Sequence, residues 1–229
     1  MAGTGIEVEL KARVPDLAAL MRVCVAARGR PAFTATQRNQ FIDSAVRALD
    51  GGKFVLRLRH EMAPASTTTY LTLKGPATKS ADGTLSTVPE EEIVIDAALA
   101  NALQRDASGA LDLLTADASC TDARRALVAA AKAAVGDAPL AIVGEFATER
   151  TRIDVRFPEG FDGVLELDRV RFPGDQVHHE VEFEVPAGTD PLIAKTAFEA
   201  LLARAEVVGA AAPGKAKRFF AALRGERLS

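Results

Sequence analysis

Ile6-Glu7-Val8-Glu9-Leu10-Lys11 alternates apolar and charged residues over six positions, and a period of two is the signature of a β-strand. Glu7, Glu9 and Lys11 therefore share one face, and Ile6, Val8 and Leu10 share the other. At about 3.4 Å of rise per residue the two carboxylates stand roughly 7 Å apart along the strand, a spacing that lets them hold one hard cation. A solvated edge strand carries the same pattern, so the reading depends on whether the rest of the chain repeats it.

It does. A strand over 33–44 contains Gln37 to Asp43. In Lys53 to Arg59, Lys53, Arg57 and Arg59 oppose Phe54, Leu56 and Leu58. Over 68–75, Tyr70, Thr72 and Lys74 oppose Leu71 and Leu73, and Glu90 to Ile95 reads as a fifth strand. Further on, Arg150, Arg152, Asp154 and Arg156 oppose Thr151, Ile153, Val155 and Phe157 within 142–157. Glu166 and Asp168 oppose Leu165 and Leu167, and Glu180, Glu182 and Glu184 oppose Val181, Phe183 and Val185. Between the strands the helix signals are clear. Asp16 caps a helix with an apolar stripe of Leu17, Leu20, Met21 and Cys24, ended by Gly29. Ala97 to Val135 reads as two or three helices, broken near Ser108-Gly109 and around 119–122 and stopped by Gly136. Asp190-Pro191 opens a helix that buries Phe198, Leu201 and Leu202 and is broken by Pro213-Gly214; Lys215 to Leu223 forms a last short one. Asp50-Gly51-Gly52 and Asp82-Gly83 are turn chemistry. His178 and His179 follow Gly174-Asp175 and read as a solvated hairpin turn, without the spacing of a zinc site.

The chain has 229 residues, 48% hydrophobic and 26% charged, enough for one sizeable core. A net charge of −3 argues against a nucleic-acid partner. Cys24 and Cys120 lack metal-ligand spacing and read as reduced thiols of a cytoplasmic protein. No apolar run approaches the roughly 20 residues of a membrane span, and with a strand beginning at Ile6 no targeting peptide is expected ahead of the fold. No repeat or long linker divides the chain. The expectation is one α+β domain over 1–229, about eight strands with a helical insertion at 97–137.

The charged faces are sorted by sign. Strands at 90–92, 166–168 and 180–184 offer carboxylates; those at 57–59, 74 and 150–156 offer mainly guanidinium and ammonium groups. There are also helices enough to cover every apolar face. If the sheet closes into an antiparallel barrel with its apolar side outward, the charges line an interior wide enough for side chains or one small ligand. Unpaired buried ions are very costly. A metal-bound triphosphate would satisfy both signs; internal salt bridging is the structural alternative.

Glu7-x-Glu9-x-Lys11, Leu56-Arg57-Leu58-Arg59, Leu73-Lys74, Arg150, Leu167-Asp168, Glu180-Val181-Glu182 and the late Lys215, in that order from residue 6 to about 224, resemble the CYTH, or triphosphate tunnel metalloenzyme, family. Phe41-Ile42-Asp43-Ser44 is similar to a further motif of that family. The resemblance implies an eight-stranded antiparallel tunnel that binds a triphosphate and a divalent metal. It assigns Glu7, Glu9, Asp168, Glu180 and Glu182 to metal, which for hard carboxylates means Mg²⁺ or Mn²⁺. It assigns Lys11, Arg57, Arg59, Lys74, Arg150, Arg152 and Lys215 to substrate phosphates, with Glu7, Glu9, Lys11 and Glu182 closest to the chemistry. Thr87 or Val88 stands where many relatives carry an arginine, which leaves the roles of Glu90 and Glu92 open. Family activities include inorganic triphosphatase, thiamine triphosphatase and adenylate cyclase. The motifs look closest to plant-type short tripolyphosphatases, so the expected reaction is hydrolysis of the terminal phosphate of inorganic tripolyphosphate by metal-activated water. Thiamine triphosphatase, class IV-type adenylate cyclase and a non-catalytic polyphosphate- or nucleotide-binding module are the alternatives. The only partner implied is a small triphosphate; no nucleic acid, membrane or protein is called for.

Overall fold

Residues 4–28, 30–116, 120–211 and 213–226 are described by a computed structural model. The opening alternation forms β1 (Thr4–Val14), followed by α1 (Leu17–Ala27), β2 (Arg30–Ser44) and α2 (Ala48–Gly51). Then come β3 (Val55–Ala63), β4 (Ser66–Lys74), the two-residue β5 (Thr78–Lys79) and β6 (Leu85–Ile95). Helices α3 (Ala97–Arg105), α4 (Ala110–Leu113) and α5 (Asp122–Val135) precede β7 (Leu140–Arg156), β8 (Asp162–Phe172) and β9 (Gln176–Glu184). The chain ends with α6 (Pro191–Arg204) and α7 (Lys215–Leu223). The sheet runs β1-β9-β8-β7-β2-β3-β4-β6, and a β1–β6 pairing closes it; β5 is appended beside β6. The fold is thus α+β: a closed eight-stranded antiparallel barrel with helices outside.

By internal contacts the chain divides into two units. One comprises residues up to Glu7, 38–77 and 88–145; the other comprises 8–37, 78–87 and 146 onward. In the first unit, β3 and β4 pair Leu56 with Leu73 and Leu58 with Leu71. These leucines form one core with Leu103, Leu111, Leu114, Val128 and Ala131 of α3–α5. Thr121 caps α5 by accepting from the Arg124 amide at 3.1 Å, and Gly136 ends it with a φ of 60°. Lys132 of α5 pairs with Asp112 of α4, so Asp112 is engaged on the helical layer; Asp117 lies outside the described residues.

Asp50-Gly51 belongs to a short helix, not only a turn. Buried Asp43 explains it: Oδ1 accepts from the Ser44 and Leu49 amides at 2.7 and 2.9 Å, and Oδ2 from the Asp50 amide at 3.1 Å. The Phe41-Ile42-Asp43-Ser44 segment therefore has a local structural purpose, satisfying amides that a helix start leaves unpaired.

In the second unit, alternate residues of β1, β7, β8 and β9 face α1 and α6. Leu10, Ala12, Ile153, Leu165, Leu167, Val181 and Phe183 form this core with Phe198 and Leu201. Asp16 caps α1 as expected, accepting from the Ala19 amide at 2.8 Å. The buried stripe of α1 differs from the expected one: Ala19, Leu20, Val23 and Ala27 face inward, whereas Leu17 and Met21 are 52% and 55% exposed. Small side chains at 19, 23 and 27 allow close packing, which decides the face over the bulk of Leu17 and Met21. Gly29 lies outside the described residues.

Helix α6 ends at Arg204, ahead of the expected break at Pro213-Gly214. Glu206 takes a φ of 53°, and the chain then runs beside β1, where Ala210 and Arg13 exchange backbone hydrogen bonds of 2.8 and 2.9 Å. Gly209 permits that approach, since a Cβ there would stand 2.8 Å from the Ala12 Cβ. The histidine pair is also corrected: both residues lie in β9, and His178 is buried.

Candidate active site

Four strands and one helix of the second unit assemble a charged centre. The registers Arg150↔Asp168 and Asp168↔Glu180 place these residues side by side, with Glu182 two residues along β9. Asp168 and Glu180 are fully buried and Glu182 nearly so; one carboxylate oxygen from each lies within 4.8 Å of the others. Arg150 donates to Asp168 Oδ1 and Oδ2 at 2.8 and 2.6 Å and to Glu182 Oε2 at 2.7 Å, and also pairs with Glu166. The Lys215 ammonium, at the start of α7, stands 2.7 Å from Asp168, 2.8 Å from Glu180 and 2.6 Å from Glu182. Lys11 bridges Glu9 and Glu182 at 2.7 and 2.6 Å. Arg152 donates to Glu166 at 3.0 Å.

Electrostatics favour the charged forms of Lys11, Arg150, Lys215, Glu182 and Asp168. Burial works against charge on Lys11, but Glu182, Glu9 and Glu180 outweigh it and hold its pKa well above the lysine range. Burial likewise opposes Arg150 and Lys215, and the surrounding carboxylates raise both. Glu182 shows the converse: burial would push it up, yet Lys11, Lys215 and Arg150 hold it well below the usual carboxylate range. Asp168 is lowered for the same reason, by Arg150 and Lys215 against its burial.

The residues of the first unit form their own charged groups. Lys74 reaches Glu7 at 2.5 Å and Glu90 at 2.8 Å. Burial raises Glu7 despite Lys74, whereas in Glu90 the pull of Lys74, with help from Arg57, outweighs burial and lowers it. Arg59 donates to both oxygens of Glu92 at 3.1 and 2.9 Å, and Thr72 donates to the same carboxylate at 2.7 Å. The open role of β6 is thereby filled: Glu90 and Glu92 neutralise Lys74 and Arg59. Internal salt bridging, held open from the sequence, accounts for these charges.

Of the five expected metal ligands, Asp168, Glu180 and Glu182 come together; Glu9 joins them through Lys11, and Glu7 belongs to the Lys74–Glu90 group. The donors fit a hard divalent cation. All are carboxylates, and the buried Glu180 Oε1 and Glu182 Oε1 have no aligned hydrogen-bond donor among the described residues, although ammonium groups lie close. The Lys215 ammonium, touching all three carboxylates, occupies the kind of position such a cation takes. Sequence reading missed Arg218, which pairs with Glu180 and whose guanidinium is buried. Its one signal was the i, i+3 spacing from Lys215, which puts the two on neighbouring positions of one helix.

Comparison with solved structures supports the same architecture. A Hippeastrum adenylyl cyclase candidate, reported to have a dominant triphosphatase activity, is 26% identical, with a TM-score of 0.74 and 97% of each chain covered. An adenylate cyclase candidate from Bacillus halodurans is 20% identical at a TM-score of 0.59, over 95% of this chain and 100% of that one. A Pyrococcus horikoshii protein is 19% identical at 0.55, over 89% and 92%. The last two show the fold alone. No curated protein matched. The model of the CYTH domain matches residues 5–220, and with that span the chain belongs to the CYTH domain family.

Proposed function

We propose that this chain is a divalent-metal-dependent triphosphatase that hydrolyses the terminal phosphate of inorganic tripolyphosphate. The observation that carries the reading is the buried group Asp168–Glu180–Glu182 interleaved with Arg150, Lys11 and Lys215. A purely structural interior does not need three convergent carboxylates with cations threaded between them, because buried ion pairs rarely add net stability over apolar packing. The 26% identical Hippeastrum relative, with its reported triphosphatase activity, supports the same class.

Asp168, Glu180 and Glu182, with Glu9 and Glu7 as further candidates, would hold Mg²⁺ or Mn²⁺. When bound, such an ion offsets phosphate charge and makes water a better nucleophile. Arg150 then exchanges its carboxylate partners for phosphate oxygens, keeping the fork geometry that guanidinium uses for both. Lys11 and Lys215 act as point charges that follow the negative charge from carboxylate to phosphate. Arg57, Arg59, Lys74 and Arg152 are proposed as further phosphate contacts. A water oxygen attacks the terminal phosphorus in line, the bridging P–O bond breaks, and pyrophosphate leaves. Catalysis then rests on positioning and charge stabilisation, and no protein nucleophile is required. We propose one functional domain, working in the cytoplasm; no described helix is long and apolar enough to cross a membrane.

The test is phosphate release from tripolyphosphate by the purified protein with Mg²⁺, with Mn²⁺ and with a chelator. Metal-dependent release that the chelator abolishes is expected. Cyclic AMP formation from ATP, or tight tripolyphosphate binding without turnover under either metal, would overturn the hydrolase reading.

A further inference from the structure

Helix α7 is built against its own backbone. Its N-cap, Gly214, makes no side-chain cap, and Lys215, Lys217 and Arg218 fall in its first turns. Cations at a helix N-terminus oppose the helix dipole and leave it stabilised by packing alone. Phe219 and Phe220 supply part of that packing from buried positions. Arg218 packs with them, only 2% exposed despite its charge. One terminal nitrogen pairs with Glu180 Oε2; the other lies 3.0 Å from His178 Nδ1; and the guanidinium sits over the Phe172 ring at 5.1 Å.

We propose that Arg218 is a positioning residue of the metal centre, a role that rests on the function proposed above. By holding Oε2 of Glu180 it fixes the carboxylate with Oε1 on the Lys215 ammonium, which also meets Asp168 and Glu182. By docking α7 on β9 it sets Lys215, one helical turn away, within reach of all three carboxylates. The pattern is that of an outer partner orienting a ligand, whose loss typically costs about 10–100-fold in metal affinity. Arg218 also keeps α7 in place when Lys215 gives up its carboxylates to an incoming cation, because its own contacts to His178 and Phe172 do not involve that exchange.

Positioning and mere neutralisation predict opposite signs. If Arg218 only offsets charge, Arg218→Gln leaves the centre more anionic and Mn²⁺ binds more tightly. If it positions Glu180, the freed carboxylate swings away and Mn²⁺ binds about tenfold more weakly or worse. Calorimetric titration of the full chain with Mn²⁺ alone reads this directly, with circular dichroism confirming the fold. Arg218→Lys, which keeps the charge but reaches one partner at a time, should recover part of the affinity, and it carries the comparison should the glutamine variant fail to fold. Phe219→Leu removes packing from α7 but keeps Arg218 on Glu180; it should lower the melting temperature while changing Mn²⁺ affinity less than Arg218→Gln does. Wild-type affinity or tighter binding in Arg218→Gln, beside a wild type that does bind Mn²⁺, overturns the positioning role alone. A wild type that binds no Mn²⁺ overturns the metal reading and this role with it.

Discussion

Glu182 is the residue on which three cations converge, and Glu7 shares one lysine with Glu90. Their glutamine variants should therefore behave differently although both remove one proposed metal-site charge. Each should lower tripolyphosphate turnover by at least about tenfold, read from phosphate release under saturating metal. Glu182→Gln should also lose stability, by about 3 kcal/mol, because it leaves Lys11, Lys215 and Arg150 short of a partner in a buried site. Glu7→Gln should lose less, since burial already disfavours the charged form of Glu7. Chemical denaturation of the ligand-free proteins separates the two; equal losses would mean that the centre does not depend on Glu182. Arg59 also takes its sign from its partners. Removing Arg57 or Arg59 would relieve crowding of like charge on their shared strand face, yet Arg59 is held by both oxygens of Glu92. Arg59→Ala should lower the melting temperature, by about 1–3 kcal/mol of stability, as Glu92 would keep only Thr72. A variant more stable than wild type would restore the crowding argument. Alternation and charge sign placed Asp168, Glu180, Glu182 and Arg150 on charged strand faces, because a strand has only two faces, and the family resemblance supplied their proposed roles. Neither said which cation meets which carboxylate, since that depends on strand register and on a helix that arrives from the far end of the sequence.

Elements with strong end signals were read well, and those set by distant contacts were not. Asp16, Gly136 and Asp190 marked helix ends correctly because caps act within a turn. The face of α1, the early end of α6 and the position of His178 depend on what lies against them, which local pattern does not encode. Helix α3 carries a further example. Gln104 donates to Gln40 at 3.1 Å and lies 3.0 Å from His60 Nε2, while His60 Nδ1 lies 3.0 Å from the Thr69 hydroxyl. Burial lowers the His60 pKa, Arg38 adds to that, and Glu145 opposes it. A histidine depressed in the folded state takes up its proton more readily when unfolded. Its contribution is therefore complete above the unfolded value near 6.5 and declines as pH falls below it. His60→Gln should accordingly show a smaller drop in melting temperature than wild type between about pH 7.5 and about pH 5.5, with unchanged turnover at the higher pH. Parallel curves for the two proteins would show that His60 titrates as it does in the unfolded chain.

For the whole molecule, the sequence offered a closed barrel because its apolar faces had helices to cover them and its charged faces did not. The structure follows that inversion: Leu56, Leu58, Leu71 and Leu73 in one unit, and Leu10, Leu165, Leu167 and Val181 in the other, pack in helix-covered cores. The aromatic content of the chain bears on the proposed substrate. The chain has no tryptophan and one tyrosine, Tyr70, over whose ring the Arg59 guanidinium lies at 4.6 Å. Phe33 is similarly engaged, with Arg152 at 5.3 Å. An organic group such as thiamine or adenosine that stacked on either ring in place of its arginine would forfeit a cation–π contact worth about 0.5–2 kcal/mol. Tripolyphosphate needs no such surface and asks only for cations, which the interior supplies. It should therefore show the highest kcat/KM, with ATP and thiamine triphosphate poorer by about tenfold or more, a margin of only about 1.4 kcal/mol in transition-state free energy. Competition at equal substrate concentrations measures that ratio directly. Preferential turnover of thiamine triphosphate would overturn this argument and move the chain to an organic triphosphate.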